Sequence, residues 1–291
     1  MALWPIPEAG PLQSSWAKFN RAIFHLRALN DELERFNGRE ADSHRLTTEV
    51  DKETSSHYLR IQILRPFPTL WSLIVGDMIH NFRASLDYMM WSLVLANGNR
   101  PTRGTQFPIY KAEPPSDPRD RSRRNFERNV KGISPEAREL IEKLQPYRGE
   151  HGQGPHIFSA LNALSNQDKH HFVVPSFGAV AIPKSGKLSL DVDWERCRDI
   201  GSIYGTQLHT GKPLQDGDKV TTSRVEITGP DPHVEIKGGL EIDVGFGEPP
   251  VPKEAFRQLG EAVETALGTA EIDVLGFDRS QLGSSASTEM G

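Results

Sequence analysis

Large apolar residues recur at spacings of three and four along the first part of the chain. Trp16, Phe19, Ile23, Leu26, Leu29, Leu33 and Phe36 form one such stripe. This period predicts an amphipathic helix, capped by Ser14 or Ser15 and stopped by Gly38. The pattern then changes. Leu59, Ile61 and Ile63 alternate with Arg60 and Gln62, the period of a half-buried strand. The polar stretch Asp51 to Ser56 turns this strand into a hairpin, with Leu46, Thr48 and Val50 on its partner, at about 46–64. A long helix is expected from Pro68 to about Ala96, stopped by Asn97-Gly98. Ser134-Pro135-Glu136 supplies a cap, a proline at the first helical position and an early acid, so another helix runs from there to Gln145-Pro146. A further helix is expected from about Pro155 to Lys169, with Ile157, Phe158, Leu161 and Leu164 inward.

From Phe172 the texture is that of strands. Leu188, Leu190, Val192 and Trp194 alternate with polar residues, as do Val225 with Ile227, Val234 with Ile236, and Leu240, Ile242, Val244 and Phe246. Turn signals at Gly229-Pro230-Asp231-Pro232 and Lys237-Gly238-Gly239 separate them, and the polar alternation points to an antiparallel sheet with one wet side. A last helix from about Lys253 presents Phe256, Leu259, Val263 and Leu267. Helices, then strands, then a helix indicate an α+β fold. The expected organisation is a helical bundle over 12–171 that includes the hairpin, then an antiparallel sheet with its C-terminal helix over 172–275, packed on the bundle. Residues 279–291 are small and polar and read as a disordered tail.

Composition narrows the function classes. The 291 residues are 36% hydrophobic and 25% charged, enough for a core and a polar surface. A net charge of −5 argues against a dedicated nucleic-acid binder, and no DNA partner is expected. One cysteine, Cys197, excludes an internal disulfide framework and a cysteine-rich zinc site, which fits a reducing, cytoplasmic setting. The start Met-Ala-Leu-Trp-Pro-Ile-Pro-Glu lacks the basic and apolar regions of a secretory signal. The most apolar stretch, Leu70 to Leu95, carries Asp77, His80, Arg83 and Asp87, which exclude an ordinary membrane span. Phosphate-loop, dinucleotide-binding, zincin and nucleophile-elbow motifs are all missing.

Those four residues are the main candidate chemistry. On a helix, Val75, Met78, Ile79, Phe82, Leu86, Met89, Met90 and Leu93 cover one broad arc, and Asp77, His80, Arg83, Asp87 and Trp91 fall on the opposite one. Because the helix is so apolar, its ionisable groups are expected to be at least partly buried and partnered. Three readings compete. In the first, Arg83 and Asp87 form an i,i+4 ion pair, Asp77 accepts from His80, and the network orients neighbouring helices. In the second, His80 is a general acid or base oriented by Asp77 or Asp87, and Arg83 binds negative charge. In the third, Asp77 and His80 share a metal ion with ligands from elsewhere. His80 and Asp87, about 10 Å apart along the axis at ~1.5 Å per residue, cannot chelate one ion together.

A second polar cluster, Asp168-Lys169-His170, closes the helix after Pro155. Its cations suit a helix C-terminus through the backbone dipole. The sharper reading has Asp168 or His170 meeting the His80 stripe across a helix pair, for acid–base chemistry or a metal. His151 and His156 flank a glycine-rich turn as candidate lid residues, and the arginines beside Cys197 make it a candidate low-pKa thiol or, more plainly, a free one. Residues Arg100 to Lys131, rich in proline and locally basic, read as a solvated connection or as an anion- or nucleic-acid-contacting loop.

Four pieces taken in order resemble a family of uncharacterised bacterial proteins: Gly76-Asp77…His80-Asn81-Phe82-Arg83-Ala84-Ser85-Leu86-Asp87…Trp91, Gln106-Phe107-Pro108-Ile109, Leu144-Gln145-Pro146-Tyr147, and Asn166-Gln167-Asp168-Lys169-His170. The resemblance spans roughly Leu70 to His171 and implies that these positions belong together. The helical first half, with a helix ending in Asp168-Lys169-His170, is also similar to HEPN-type domains of toxin and defence RNases. Their nuclease signature, an arginine and polar residue with a histidine four to six residues after the arginine, is matched only by Arg39 to His44, just past the first helix. That resemblance therefore implies a binding module rather than a conventional nuclease.

Two expectations follow. One is an acid–base or metal-assisted hydrolase with a site drawn from Asp77, His80, Arg83, Asp87, Asp168 and His170. The other is a non-catalytic, HEPN-like module for RNA or a protein partner. A small molecule or RNA is the expected ligand class. The sequence specifies no cofactor, metal or oligomeric state.

Overall fold

The computed structural model describes residues 10–37, 44–51, 56–149, 157–181, 189–192, 199–208, 214–228, 234–237 and 241–277. The fold is α+β. The helices are α1 (Gln13–Asn37), α2 (Thr69–Ala96), α3 (Arg121–Asn129), α4 (Pro135–Lys143), α5 (Ile157–Asp168) and α6 (Lys253–Thr269). The strands are β1 (His44–Asp51), β2 (Ser56–Ile63), β3 (Pro175–Ala181), β4 (Ser189–Val192), β5 (Asp199–Leu208), β6 (Lys219–Thr228), β7 (Val234–Lys237), β8 (Glu241–Phe246) and β9 (Val251–Pro252). The chain divides into two compact units. One is built from residues up to Leu29, Leu73–Phe172 and the residues from Glu254, and the other from Asn30–Ser72 and Val173–Lys253.

The unit with most of the helices has a core of long apolar side chains. Trp16, Phe19 and Ile23 of α1 are buried, as are Met78, Ile79, Phe82, Leu86, Met89 and Met90 of α2. The apolar arc of α2 therefore faces inward as its period predicts. Trp16 stands edge-on to Phe19 at 5.5 Å, and its indole N–H donates to the buried Glu271 carboxylate at 3.1 Å. Helix α1 starts at Gln13, ahead of the start expected from a cap at Ser14 or Ser15. Gln13 N–H donates to Gly10, and Ser15 is buried inside the helix instead of capping it. At the end of α2, Gly98 adopts φ +72° and its N–H closes back on Leu95, a left-handed stop that suits a residue without Cβ. Ser134 Oγ accepts from Ala137 N–H to cap α4, as the motif requires.

The segment Arg100–Lys131 is not loop throughout, because α3 lies inside it. Asp120 accepts from Ser122 and Arg123 N–H and caps this helix, and Phe126 is its one apolar residue in the core, beside the buried Asn129 that donates to the Gly104 carbonyl at 3.0 Å. Charge-rich helices with one apolar residue carry no periodic signal, so only the cap marked it in the sequence. Arg123 and Arg138 both pair with Glu127, while Arg119 pairs with Asp117.

In the other unit the hairpin has the register that alternation implies. Leu46 faces Ile61, and Thr48 faces Leu59. Leu59 and Ile61 are buried and Gln62 is exposed. The hairpin does not stand alone. β2 also pairs antiparallel with β6, and β6 with β5, giving a four-stranded sheet in the order β1-β2-β6-β5. The remaining described strands form a sheet β3-β8-β9 and a pair β4-β7, all antiparallel, where one continuous sheet was expected. An aromatic cluster fills this unit: Trp71 packs on Phe36 at 4.9 Å, Phe67 at 5.4 Å and Phe246 at 6.5 Å. The expected cap at Gly38, the lid histidines His151 and His156, Cys197 with its arginines, the Gly229–Pro232 turn and the 279–291 tail lie outside the described residues.

Candidate functional site

The polar arc of α2 separates into two halves with different jobs. Arg83 and Asp87 are one half. They form the i,i+4 pair, with Arg83 Nη2 at 3.3 Å from Asp87 Oδ1. Both also hold the backbone of Phe107. Its N–H donates to Asp87 Oδ1 at 2.8 Å, and its carbonyl accepts from Arg83 Nη2 at 2.6 Å. Phe107 is fully buried and stands edge-on to Phe158 at 5.5 Å. The pair therefore straps the 105–110 segment onto α2. Gln145, fully buried, holds the same segment from the other side. Its Oε1 accepts from Tyr110 N–H at 3.1 Å, and its Nε2 donates to the Pro108 and Ile141 carbonyls at 2.9 and 3.0 Å. Three of the motif pieces noted in the sequence thus meet at one strap. Burial pushes the Asp87 carboxyl up, against the opposing pull of Arg83, the Phe107 N–H and Lys169. Arg83 Nη1 is buried with no hydrogen-bond partner among the described residues.

Asp77 and His80 are the other half, and here the burial expectation is corrected. Both are exposed, as are Tyr88 and Trp91, although the Lys18 ammonium of α1 stands 6.0 Å from the centre of the Tyr88 ring. No hydrogen bond joins Asp77 to His80 among the described residues. Asn81 Nδ2 instead donates to the Asp77 carbonyl at 2.7 Å, and Asn81 Oδ1 accepts from Lys18 of α1 at 3.4 Å.

The end of α5 comes to this half. The Asp168 carboxylate lies directly over Gly76, where a Cβ would sit 2.5 Å from Oδ1 and 3.1 Å from Cγ. Glycine is what admits a carboxylate that close to the α2 backbone. Burial raises the Asp168 pKa first, the Asp77 charge raises it further, and His80 pulls it down. Lys169 is near enough to act on Asp87. His170 is exposed and is not brought into the cluster by any described contact. The sequence reading missed one member. His25 of α1 is buried, its pKa lowered by burial and by Arg21 and raised by Asp77. Its only trace in the sequence was a histidine on the flank of an apolar stripe. Asp77, His80 and Asp168 thus lie near one another on the open side of α2, and His25 is buried on the α1 side within electrostatic reach of Asp77.

This patch makes a stability prediction. A carboxyl whose folded pKa is raised contributes stability below its unfolded value, and that stability is lost as pH rises through the folded pKa. Asp168→Asn removes the neutral-pH penalty. We expect its urea midpoint to exceed the wild type's at about pH 7 and the two to converge at about pH 3. A lower midpoint for Asp168→Asn at neutral pH would show that the carboxylate is held by favourable partners instead.

Among the described residues, no group of three or more His, Cys, Asp or Glu side chains is disposed to hold a metal ion. A concavity of about 490 Å³ lies elsewhere, between the α3 and α4 ends at Lys131, Gly132 and Arg138. No described helix is long and apolar enough to cross a membrane. No family model, curated protein or solved structure matches this chain.

Proposed function

We propose that the protein is an acid–base hydrolase whose reacting groups are Asp77, His80 and Asp168, with Arg83 and Asp87 as positioning residues. The observation that carries this reading is the Asp168 carboxyl, seated over Gly76 beside Asp77 and raised above the ordinary carboxylate range. A carboxyl pushed up by burial and by a neighbouring carboxylate is suited to the general-acid role. Protonated Asp168 gives its proton to the leaving atom. His80 takes a proton from the attacking water, with the Asp77 carboxylate beside it to balance the charge that forms. His25 lies on the α1 side of Asp77 and adds a second titratable imidazole.

The test is turnover of a defined panel: nitrophenyl carboxylic esters, nitrophenyl phosphodiesters and a fluorogenic single-stranded RNA. Wild type is expected to hydrolyse one class, with Asp168→Asn and His80→Ala each slowing it by about a hundredfold. Activity is expected to fall as pH rises through the raised Asp168 pKa, because the general acid is then lost. No turnover of any class, or turnover indifferent to both substitutions, would sink the reading.

A second reading, RNA binding without catalysis, is favoured by the exposed cations Arg100, Arg103, Arg121 and Lys131 around α3. It expects binding of a labelled RNA that weakens steeply with salt. Absence of binding at low salt would remove it.

A further inference from the structure

The outer face of α2 carries more than the acid–base patch. Leu73, Tyr88, Trp91 and Leu95 are 49%, 43%, 48% and 54% exposed, on a helix whose opposite arc is sealed in the core. Scattered exposed apolar residues are ordinary, but these four share one helix face with Asp77, His80 and Ala84 between them, and apolar side chains gathered on one face mark a contact surface. We propose that this stripe pairs with the same stripe of a second copy of the chain, antiparallel about a two-fold axis at Ala84.

The register of the face favours this pairing. Leu73 and Leu95 lie eleven residues either side of Ala84, Asp77 and Trp91 seven, and His80 and Tyr88 four. Antiparallel pairing therefore sets Leu73 against the partner's Leu95. It sets the Asp77 carboxylate against the indole N–H of the partner's Trp91, and the His80 imidazole against the hydroxyl of the partner's Tyr88. Each acceptor meets a donor, and no like charges of α2 itself meet. Parallel pairing would stack Asp77 on Asp77 and His80 on His80. Ala84, the small residue at the axis, lets the two helices approach to about 8–10 Å. The stripe is about 33 Å long at ~1.5 Å per residue. Two such helices alone give an interface at the small end of specific ones, so a weak, reversible dimer is expected.

The pairing deepens the hydrolase reading and rests on it for its purpose. The patch at Asp77, His80 and Asp168 is open on its outer side. In the pair the partner's Trp91 and the partner's Tyr88 cover Asp77 and His80, so the dimer is the closed form of the site and dissociation opens it to substrate.

The test uses the full chain in a Cys197→Ser background. Sedimentation equilibrium at on the order of 100 µM is expected to show dimers. Trp91→Ala, a change at an exposed position, is expected to weaken association at least tenfold with an unchanged circular dichroism spectrum. Under mild oxidation, Ala84→Cys is expected to link to itself much faster than the control Lys111→Cys. Leu73→Cys mixed with Leu95→Cys is expected to link across, with neither linking to itself. A monomer at that concentration overturns the proposal, as does self-linking of Leu73→Cys or Leu95→Cys. Because association is read without substrate, the two readings fail separately. An active monomer at that concentration removes the interface alone, and a dimer that stays without turnover when diluted to monomers removes the hydrolase alone.

Discussion

Trp71→Ala is expected to lower the unfolding free energy by about 3–5 kcal/mol, the largest single effect in the unit built on the strands. The Trp71 side chain is fully buried and joins Phe36, Phe67 and Phe246 into one cluster. Truncation loses the transfer energy of a large ring and leaves a cavity that aromatic neighbours cannot collapse into. Trp71→Phe is the informative companion. The Trp71 indole N–H is buried and has no hydrogen-bond partner among the described residues. Burying such a group unpaired costs about 1–3 kcal/mol, which phenylalanine would recover while giving up part of the packing. The two terms oppose each other, so Trp71→Phe should cost less than about 1.5 kcal/mol. Urea unfolding followed by far-ultraviolet circular dichroism measures both. Similar midpoints for the alanine and phenylalanine variants would mean that ring volume is not what this cluster depends on.

Gln145→Ala is expected to cost about 3–4 kcal/mol, although the side chain is polar. Its removal strands the Tyr110 N–H and the Pro108 and Ile141 carbonyls in a buried place. Each stranded group carries a desolvation penalty of about 1–3 kcal/mol, partly relieved where water can follow. Gln145→Glu separates hydrogen bonding from shape. The ionised carboxylate still accepts from Tyr110 but faces two carbonyls with no proton to give. Protonated, it regains one donor. The Gln145→Glu variant should therefore be more stable relative to wild type at about pH 4 than at about pH 7. A loss that is the same at both pH values would show that the amide acts through packing alone. Because the strap it holds also carries Phe107, loosening it should disturb Arg83 and Asp87 as well.

The elements were largely legible because their determinants are local. The stripe from Trp16 to Phe36, the Gly98 stop and the Ser134-Pro135-Glu136 start each act within a turn or two of chain. The Leu46–Ile61 register followed from alternation, since a one-residue slip would turn the buried side chains outward. Partner choice was not legible. Nothing near Ser56–Ile63 specifies that β6, more than 150 residues later, lies beside it, because sheet edges pair through backbone groups that every sequence shares. Helix α3 was hidden for a related reason: one buried phenylalanine gives no period.

At the candidate site the division is sharper. By itself the sequence determined that Asp77, His80, Arg83 and Asp87 share one side of a helix, since 100° per residue is enough to say so. Which of them are structural was decided only by tertiary packing. Arg83 and Asp87 are consumed by the Phe107 backbone, whereas Asp77 and His80 stay open. Only the approach of α5 to Gly76 places Asp168 beside Asp77, and only the α1 contact brings in His25. Charge state depends on what surrounds a group within a few ångströms, and those neighbours come from segments far apart in the chain.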